Sequence, residues 1–388
     1  MSKNGYPSVT ALTMTLSLYI HVPYCLEKCP YCDFHSIAVQ KGEIPHLPYA
    51  ALLTKQLRQE AKNLGLKKRP LKSVFFGGGT PSLMDDGFFE MVLNAVAKEL
   101  SPAKNIEITV ETNPATAMRE KFKSWRSMGI NRVSFGVQSF QDRFLKKLGR
   151  CHSAQDAVTA IQAAKEIGFQ NMNCDMIFGI EGQSLEDWEK DLVKAVSMQL
   201  PHLSAYQLTV EPGTPLASHV SAKKFVLPEE ETLLFMHQLT VSYLETCGLK
   251  RYEISNYAVP GFESRHNLQY WRYGDYLGIC SGAVSYVGGK RWRTTRKLKE
   301  YFAGNFDREE EEDIDAGTAL KEKWMMGIRL TEGICLEDGY RRFLPYFEKW
   351  AKEGLLAFSG ERVCLTERGF LLSNQVTQNV FALIDQMC

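Results

Sequence analysis

The sequence has 388 residues, with 46 Lys and Arg against 45 Asp and Glu, and a formal net charge of +1. A nucleic-acid partner would require a clustered basic patch, and no such cluster is visible. The composition, 44% hydrophobic and 23% charged, suits a globular protein with one barrel-sized domain and a smaller one. No apolar run approaches the roughly 18 residues of a membrane span. Residues 1–14 lack the pattern of a secretory signal.

Short runs of β-branched and aromatic residues alternate with segments of helical periodicity, which is the pattern of a parallel α/β fold. Strands are predicted at residues 16–22, 73–76, 106–110, 132–137, 171–177 and 203–208. Helices are predicted at residues 49–64, 87–100, 116–128, 141–148, 154–167, 185–198 and 228–246. Six strand–helix units are fewer than the eight of a closed barrel.

Three cysteines follow the first strand closely. Cys25, Cys29 and Cys32 form a C-x3-C-x2-C arrangement, whereas the other cysteines are scattered singly and do not form a disulfide framework. Soft thiolates on one tight loop favour zinc or an iron–sulfur cluster, and three are one short of the usual four ligands. A Cys3His zinc site using His21 or His35, and a disulfide loop, are the alternatives. A cluster and free thiols predict a reducing cytoplasm.

Polar or glycine residues lie at the ends of the later predicted strands. Gly77, Gly78, Gly79 and Thr80 end the second strand, and the next strands are followed by or contain Glu111, Gln138 and Asp175. In parallel α/β folds ligands bind at the carboxyl edge of the strands, so these residues are candidate ligand contacts. Taken singly, each could cap a helix or form a surface pair.

The pattern changes after residue 250. Residues 251–305 are rich in Tyr, Trp, Arg and Gly and form a predicted connecting segment, and the charged stretch at 307–315 is predicted to be a linker with a solvated acidic loop. From residue 316 onward, short helices and the segment 355–366 predict a small α+β domain of winged-helix type. The predicted units are an N-terminal extension at 1–15, the barrel at 16–250, the connecting segment, and a C-terminal domain at 306–388.

The cysteine spacing, together with the glycine segment after the second strand, resembles the radical S-adenosylmethionine superfamily. The resemblance implies a partial (β/α)6 barrel in which the three cysteines hold three irons of a [4Fe–4S] cluster. S-adenosylmethionine would then chelate the fourth iron. Tyr31, just before the last cysteine, would face the adenine, and the segment of Gly78, Gly79 and Thr80 would contact the methionine amino group.

The wider chain is similar to the coproporphyrinogen oxidase-like branch of that superfamily. This similarity implies that Tyr19 lines the S-adenosylmethionine site and that Glu111 and Gln138 meet the amino group or the sugar. Arg150 would grip the methionine carboxylate with a bidentate fork. Asp175 would accept hydrogen bonds from the ribose hydroxyls.

Two features bear on the choice within the branch, which includes an oxygen-independent coproporphyrinogen III oxidase and a group of heme chaperones. The oxidase carries a fourth cysteine where this chain has Phe34, and an apolar ring cannot replace a thiol. The segment 266–271, His-Asn-Leu-Gln-Tyr-Trp, matches the H-N-x-x-Y-W pattern associated with heme binding. His266 is therefore a candidate heme ligand. The alternative is that His266 packs the end of the barrel against the C-terminal domain.

This chain also departs from the family pattern at three positions. Cys280 and Val284 stand where the family usually has glycine and histidine, and Glu181 stands where a proline is usual. The missing histidine implies a different mode of heme binding if that residue matters for heme. The change at Glu181 is expected to affect only a loop.

The resemblance implies a heme chaperone that binds heme and passes it to heme-accepting, respiratory proteins. The rival hypothesis is a radical enzyme that oxidatively decarboxylates porphyrinogen propionates, and a third is a structural zinc protein. Cleavage of S-adenosylmethionine, peripheral membrane contact and a homodimer are left open by the sequence.

Overall fold

The computed structural model describes residues 15–387. The first half of the chain contains the strands and helices β1 (Leu16–Val22), β2 (Tyr24–Cys25), β3 (Ile37–Ala38), α1 (His46–Asn63), β4 (Pro70–Gly78), α2 (Asp86–Glu99), β5 (Ser101–Thr112), α3 (Arg119–Ser127), β6 (Arg132–Gln138), α4 (Asp142–Lys147), α5 (Ala154–Glu166), β7 (Asn171–Phe178), α6 (Leu185–Ser197) and β8 (His202–Gln207).

The second half begins with two helices and continues with short strands. Its elements are α7 (Pro215–Ser221), α8 (Glu230–Thr246), β9 (Lys250–Arg251), β10 (Asn256–Ala258), α9 (Arg265–Trp271), β11 (Tyr276–Ile279), β12 (Val284–Val287), β13 (Lys290–Thr294), α10 (Leu298–Phe302), β14 (Arg308–Asp313), α11 (Ala316–Gly327), β15 (Ile334–Cys335), α12 (Leu344–Lys352), β16 (Leu356–Ser359), β17 (Arg362–Leu365), α13 (Glu367–Leu371) and α14 (Ser373–Met387).

Six parallel strands form the centre of the molecule in the order β1, β4, β5, β6, β7 and β8. Tyr19 pairs with Phe75, and Gly136 of β6 pairs with Asp175 of β7, so the carboxyl ends of all these strands lie along one edge. Helices cover one face of these strands and the other face lines the barrel interior, so the strands are expected to be buried on both faces. β1 is buried along almost its whole length. The prediction of a partial (β/α)6 barrel is confirmed.

Helices cover the outer face of the sheet through an aromatic core. The ring of Tyr49 in α1 stacks on Phe88 of α2 at 6.0 Å, and Phe89 meets Trp125 of α3 edge-on at 5.6 Å. All four side chains are fully buried. Such large buried rings stabilise the packing by removing much apolar area from water.

The sheet continues beyond the barrel at both sides. β11 pairs parallel to β1 and is followed outward by antiparallel β12, β13 and β14, while β10 and β9 extend the sheet beyond β8. The connecting segment therefore contributes β10, β11, β12 and β13 to the sheet. No helix within residues 15–387 is both long and apolar enough to cross a bilayer.

The predicted linker with its acidic loop is wrong, because Arg308–Asp313 forms β14. This acidic strand lies opposite the basic strand β13, and Lys290 faces Asp313 at 3.0 Å while Arg291 faces Glu312 at 2.5 Å. Opposite charges on paired strands support the pairing. The partner strand thus accounts for an acidic run being part of the sheet.

The C-terminal region has its own core. A three-stranded antiparallel sheet, in the order β15, β17 and β16, packs with the last four helices around Trp324, Tyr340 and Phe347. This arrangement fits the predicted small α+β domain. A β-bridge between Glu253 and Leu330 links it to the end of the barrel region.

Candidate functional site

The three predicted metal-binding cysteines lie on one loop at the carboxyl end of β1. The loop is closed by backbone hydrogen bonds from Ile37 N to Pro23 O at 2.8 Å and from Val39 N to Cys25 O at 2.9 Å. A turn between them is held by the bond from Cys32 N to Cys29 O, at 3.1 Å. All nine cysteines in the described part of the chain are free thiols, so the disulfide-loop alternative receives no support there.

His21 is occupied by other partners and is not free to bind a metal. The Tyr19 hydroxyl lies 2.9 Å from Nδ1, and Nε2 donates to the carbonyl oxygen of His35 at 2.7 Å. Burial lowers the pKa of His21 to about 4, so the ring is neutral at physiological pH. A neutral ring that donates from Nε2 must accept at Nδ1.

Among residues 15–387, no group of three or more His, Cys, Asp or Glu side chains is arranged to hold a single metal ion. A structural zinc site requires convergent ligands, whereas a cluster takes each thiolate on a different iron. The choice between a cluster and the Cys3His zinc alternative stays a prediction.

The glycine segment at the end of β4 is joined to the cysteine loop through the backbone. Gly79 N donates to Val22 O, and Thr80 N donates to Tyr24 O, each at 2.7 Å. A Cβ on Gly79 would lie 2.6 Å from Tyr24 O and 3.0 Å from the Cys25 sulfur. The Thr80 hydroxyl donates to the same sulfur at 3.6 Å. The segment thus fixes the position of the first thiol.

Gly78 has a different steric requirement. Its φ of +106° lies in a region that side-chain-bearing residues rarely adopt, and a Cβ there would lie 2.3 Å from His21 Nδ1. Its N–H donates to the Glu111 carboxyl group at 3.1 Å. His21, which we considered from the sequence only as a zinc ligand, therefore shapes this segment, and no local sequence signal showed that packing.

The two predicted carboxyl groups are close to each other. Burial, followed by the charge of Asp175, raises the pKa of Glu111 to about 8. Asp175 is held by donors from Ser134 at 2.9 Å and Asn173 at 2.8 Å. Glu111 is thus mainly protonated at neutral pH, and Asp175 is held in place by its hydrogen-bond donors. Together the two carboxyl groups can both donate to and accept from a polar ligand.

Arg150 lies against the cysteine loop. Its Nη1 donates to the Cys29 sulfur at 3.4 Å, its Nη2 donates to Gly136 O at 3.0 Å, and its Nε is buried without a partner in the described chain. The contact with Cys29 was not predicted, because residues so far apart in sequence are brought together only by the fold.

The other predicted contacts lie on the same edge. Gln138 has a left-handed φ of 69°, which for a residue with a side chain stores strain. Tyr31 packs against an apolar cluster that includes Phe144 and Leu148. The predicted polar and aromatic side chains are all partly exposed, so a ligand can reach them; they are Tyr19, Tyr31, Glu111, Gln138, Arg150 and Asp175.

His266 is the exception among the predicted site residues. It is 1% exposed, its Nδ1 lies 2.8 Å from the Ser73 hydroxyl, and its Nε2 lies 3.0 Å from the Tyr270 hydroxyl. Its ring stacks on Phe75 at 4.9 Å, and burial lowers its pKa to about 3. In this arrangement His266 packs the barrel interior, and neither ring nitrogen is available to iron.

The three departures from the family pattern lie in different surroundings. Cys280 is 0% exposed, has a φ of +105°, and its sulfur contacts the Tyr49 hydroxyl. Val284 lies on β12 opposite Arg293. Glu181 accepts hydrogen bonds from Lys147 Nζ and Val226 N, each at 2.9 Å, which is a loop contact. Phe34, at the fourth-cysteine position, is 63% exposed.

Comparisons with known families define the class of the protein. The radical SAM superfamily model matches residues 19–195, and the HemN C-terminal domain model matches residues 314–372. The solved structure of coproporphyrinogen III oxidase (HemN) from Escherichia coli is 20% identical and superposes with a TM-score of 0.79, covering 95% of this chain and 91% of that one. At this identity the likeness shows the fold alone.

Curated relatives give a closer assignment. The protein named heme chaperone HemW from Escherichia coli (strain K12) is 38% identical over 94% of this chain and 97% of its own length. HemW proteins from Haemophilus influenzae and Bacillus subtilis (strain 168) are 41% and 34% identical, covering 83% and 93% of this chain and 85% and 97% of their own. The chain belongs to the HemW family of the radical SAM superfamily.

Proposed function

We propose that this protein is a heme chaperone that binds heme, transfers it to heme-accepting proteins, and carries a [4Fe–4S] cluster and S-adenosylmethionine. The observation that carries the proposal is the full-length similarity to proteins named as heme chaperones, at 38% identity for the Escherichia coli protein. Phe34 supports the chaperone over the oxidase, because an exposed phenyl ring stands where the oxidase has a further thiol. Respiratory acceptors, with contact at the membrane surface, and a cytoplasmic location are part of the same proposal.

The cysteine loop would hold the cluster through Cys25, Cys29 and Cys32. The fit rests on three free thiols, on the glycine backbone that leaves room beside the Cys25 sulfur, and on the Arg150 guanidinium beside the Cys29 sulfur. A cation next to thiolates offsets their negative charge. Bound together, a reduced cluster and S-adenosylmethionine supply one-electron chemistry.

The edge of the barrel would hold S-adenosylmethionine through the residues predicted from the family. Gly78, Gly79 and Thr80 present backbone next to the cysteine loop, and Tyr31 offers an aromatic face beside an apolar cluster. The partly exposed residues Tyr19, Glu111, Gln138, Arg150 and Asp175 supply the polar contacts. Protonated Glu111 can donate to a ligand oxygen, and Asp175 can accept from hydroxyl groups.

Heme is the cargo, and His266 is proposed as one of its contacts. Coordination through Nε2 would require that nitrogen to exchange its Tyr270 hydroxyl partner, at 3.0 Å, for iron. Because His266 is 1% exposed, neighbouring side chains would have to move before iron could reach Nε2. The proposed units are those predicted from the sequence, namely the barrel at 16–250, the connecting segment at 251–305 and the C-terminal domain at 306–388.

The test of the cluster uses anaerobic reconstitution of the wild type, Cys29→Ser and the control Cys247→Ser. Cys247 is an exposed thiol elsewhere in the chain. We expect iron and sulfide in the wild type and the control, and a strong loss in Cys29→Ser. One zinc and no sulfide in the wild type would contradict the cluster.

The test of the heme role is a titration followed at the Soret band, with wild type, His266→Ala and Tyr270→Phe. If His266 binds iron, the alanine variant binds heme more weakly, and Tyr270→Phe, which frees Nε2, binds it more tightly. Unchanged binding in both variants would place the ligand elsewhere, with Cys280 the next residue to test. Absence of saturable heme binding in the wild type would refute the chaperone, and porphyrin formation with release of carbon dioxide would establish the oxidase.

A further inference from the structure

A cavity of about 410 Å³ lies between the outermost strand β9 and the C-terminal domain. Its walls come from the end of α8, from β9, from the loop after α11, and from β17 and α13. The lining residues are Glu245, Lys250, Arg251, Thr331, Leu365, Glu367 and Phe370. β9 is the last strand of the sheet, beyond β10 and β8, so the cavity is separate from the cysteine loop that follows β1. Its volume is at the lower end of the range for small-molecule sites.

Arg251 is the unusual residue of this cavity. Its side chain is 3% exposed, and its guanidinium carbon lies 4.0 Å from the centre of the Phe370 ring. Nη2 donates to the Glu367 carboxylate, whereas Nε and Nη1 have no hydrogen-bond partner in the described chain. Buried donors are normally satisfied, because a buried charge with unpaired N–H groups is costly. The site therefore lacks an acceptor.

The surroundings narrow the chemistry of that acceptor. Glu367 is 66% exposed, so its side chain can turn outward and release Nη2. Lys250 adds a second cation at the wall, and His237 has a further buried nitrogen, Nε2, without a partner in residues 15–387. Burial lowers the pKa of His237, and the positive charge of Arg251 lowers it further. The two groups therefore lie within electrostatic reach of each other.

Two further features select against a highly charged ligand. Glu245 and Glu367 are at the wall and would repel a dianion such as phosphate more strongly than a monoanion. Leu365 and Phe370, which are 6% and 5% exposed, form an apolar wall. A planar carboxylate matches the planar fork of a guanidinium, and an apolar body matches the apolar wall.

We propose that this cavity is a binding site for a small monocarboxylate with an apolar body, held by Arg251 in place of Glu367. The proposal is independent of the function proposed above. A bound ligand would bridge β9 and α13, and would also cover the junction at which Thr331 N donates to Tyr252 O at 3.0 Å. Occupancy would therefore tie the C-terminal domain more firmly to the barrel.

The test is a calorimetric titration of the full chain with 3-phenylpropionate, with 3-phenylpropanamide and inorganic phosphate as comparison probes. The variant Glu367→Gln removes the internal competitor and one negative charge, and should tighten propionate binding by about tenfold, the equivalent of one charge-assisted contact. Arg251→Gln should abolish binding, and Arg251→Lys, which keeps the charge but not the fork, should weaken it by about tenfold. The amide and phosphate should bind neither wild type nor Glu367→Gln.

The matched control is the exposed pair of Arg272 and Glu332, whose side chains are 55% and 44% exposed. Glu332→Gln and Arg272→Gln should leave propionate binding unchanged. Saturable propionate binding that is the same in Glu367→Gln and Arg251→Lys as in wild type would overturn the proposal. The absence of propionate binding to Glu367→Gln would also overturn the proposal. Equal binding of the amide and the propionate would exclude the carboxylate contact. If Arg251→Gln does not fold, propionate binding to Arg251→Lys and Glu367→Gln still tests the proposal.

Discussion

The barrel edge around the cysteine loop and the core of the C-terminal domain are built in opposite ways. At the edge, Gln138 and Cys280 adopt left-handed φ angles, and Arg150 Nε is buried without a partner in the described chain. In residues 316–387 no residue other than glycine has a positive φ, and the core consists of aromatic and aliphatic side chains. Strain is tolerated where surrounding structure enforces it, and such positions cluster at functional sites. The comparison predicts that substitutions in the second region act on stability and those in the first act mainly on binding.

The largest effect is expected in the C-terminal core. Trp324 is 0% exposed and stacks on Phe347 at 5.0 Å, so Trp324→Ala should lower the free energy of unfolding of this domain by about 3–5 kcal/mol. Urea denaturation followed by circular dichroism measures this change in the free energy of unfolding. Tyr346→Ala is the control, since that ring is 40% exposed, and its effect should stay below about 1 kcal/mol. Equal losses in the two variants would contradict a packing-dominated domain.

The stability of the junction between the barrel region and the C-terminal domain, where Glu253 lies, should depend on pH. Burial raises the pKa of Glu253 from 4.5 to about 7, so the folded state binds a proton that the unfolded state has already lost. The resulting stability is fully present below pH 4.5 and is lost as the pH rises through 7, in total about 3 kcal/mol. Glu253→Gln should remove this dependence.

The measurement is the difference in unfolding free energy between wild type and Glu253→Gln from pH 4.5 to 8. Glu111 titrates in the same direction with a pKa of about 8 and is present in both proteins, so its contribution cancels in the difference. A difference that does not change with pH would show that Glu253 is solvated in the folded state.

At the barrel edge, Gly79→Ala should separate binding from folding. The added Cβ would meet two backbone oxygens and the Cys25 sulfur, at 2.6, 2.8 and 3.0 Å, and overpacking of this kind costs about 1–3 kcal/mol. We expect a folded protein that fails to retain iron after anaerobic reconstitution. Gly42→Ala, where a Cβ would have nothing within 4 Å, should retain it. Full iron content in Gly79→Ala would show that the loop can move aside.

The smallest net change is expected at Cys280. Cys280→Gly removes a buried side chain but also releases the strain of a φ of +105°, which is about 1–3 kcal/mol, so the net change should lie within about 1 kcal/mol. Cys174→Gly loses a side chain equally buried at 0% exposure without any such release. Thermal unfolding of both variants should therefore show Cys174→Gly as the less stable one. The reverse order would mean that Cys280 is not strained.

The sequence predicted the barrel well because its signals are local. The first strand at 16–22 and the fourth at 132–137 lie within a residue of the observed β1 and β6. Strand β14 was missed because three of its acidic residues, Glu310, Glu312 and Asp313, find their cationic partners on β13. Hydrophobic periodicity contains no information on such cross-strand charge pairing.

The same distinction applies to the candidate site. Glu111, Gln138 and Asp175 were predicted to meet because parallel strands place their carboxyl ends on one edge, and the structure brings them there. The surroundings of His266 could not be predicted, since its contacts with Ser73 depend on how α9 packs against β4. Its role toward heme stays a prediction.

The acidic strand β14 has a consequence for how copies of this chain meet. An incomplete barrel ends in free strand edges, which elsewhere are templates for uncontrolled strand addition and aggregation. Here one end of the sheet is β14, with five acidic residues in six, and the other is the two-residue strand β9. Two β14 edges brought together would set carboxylates against carboxylates. The outer edge of this sheet thus discourages self-templating.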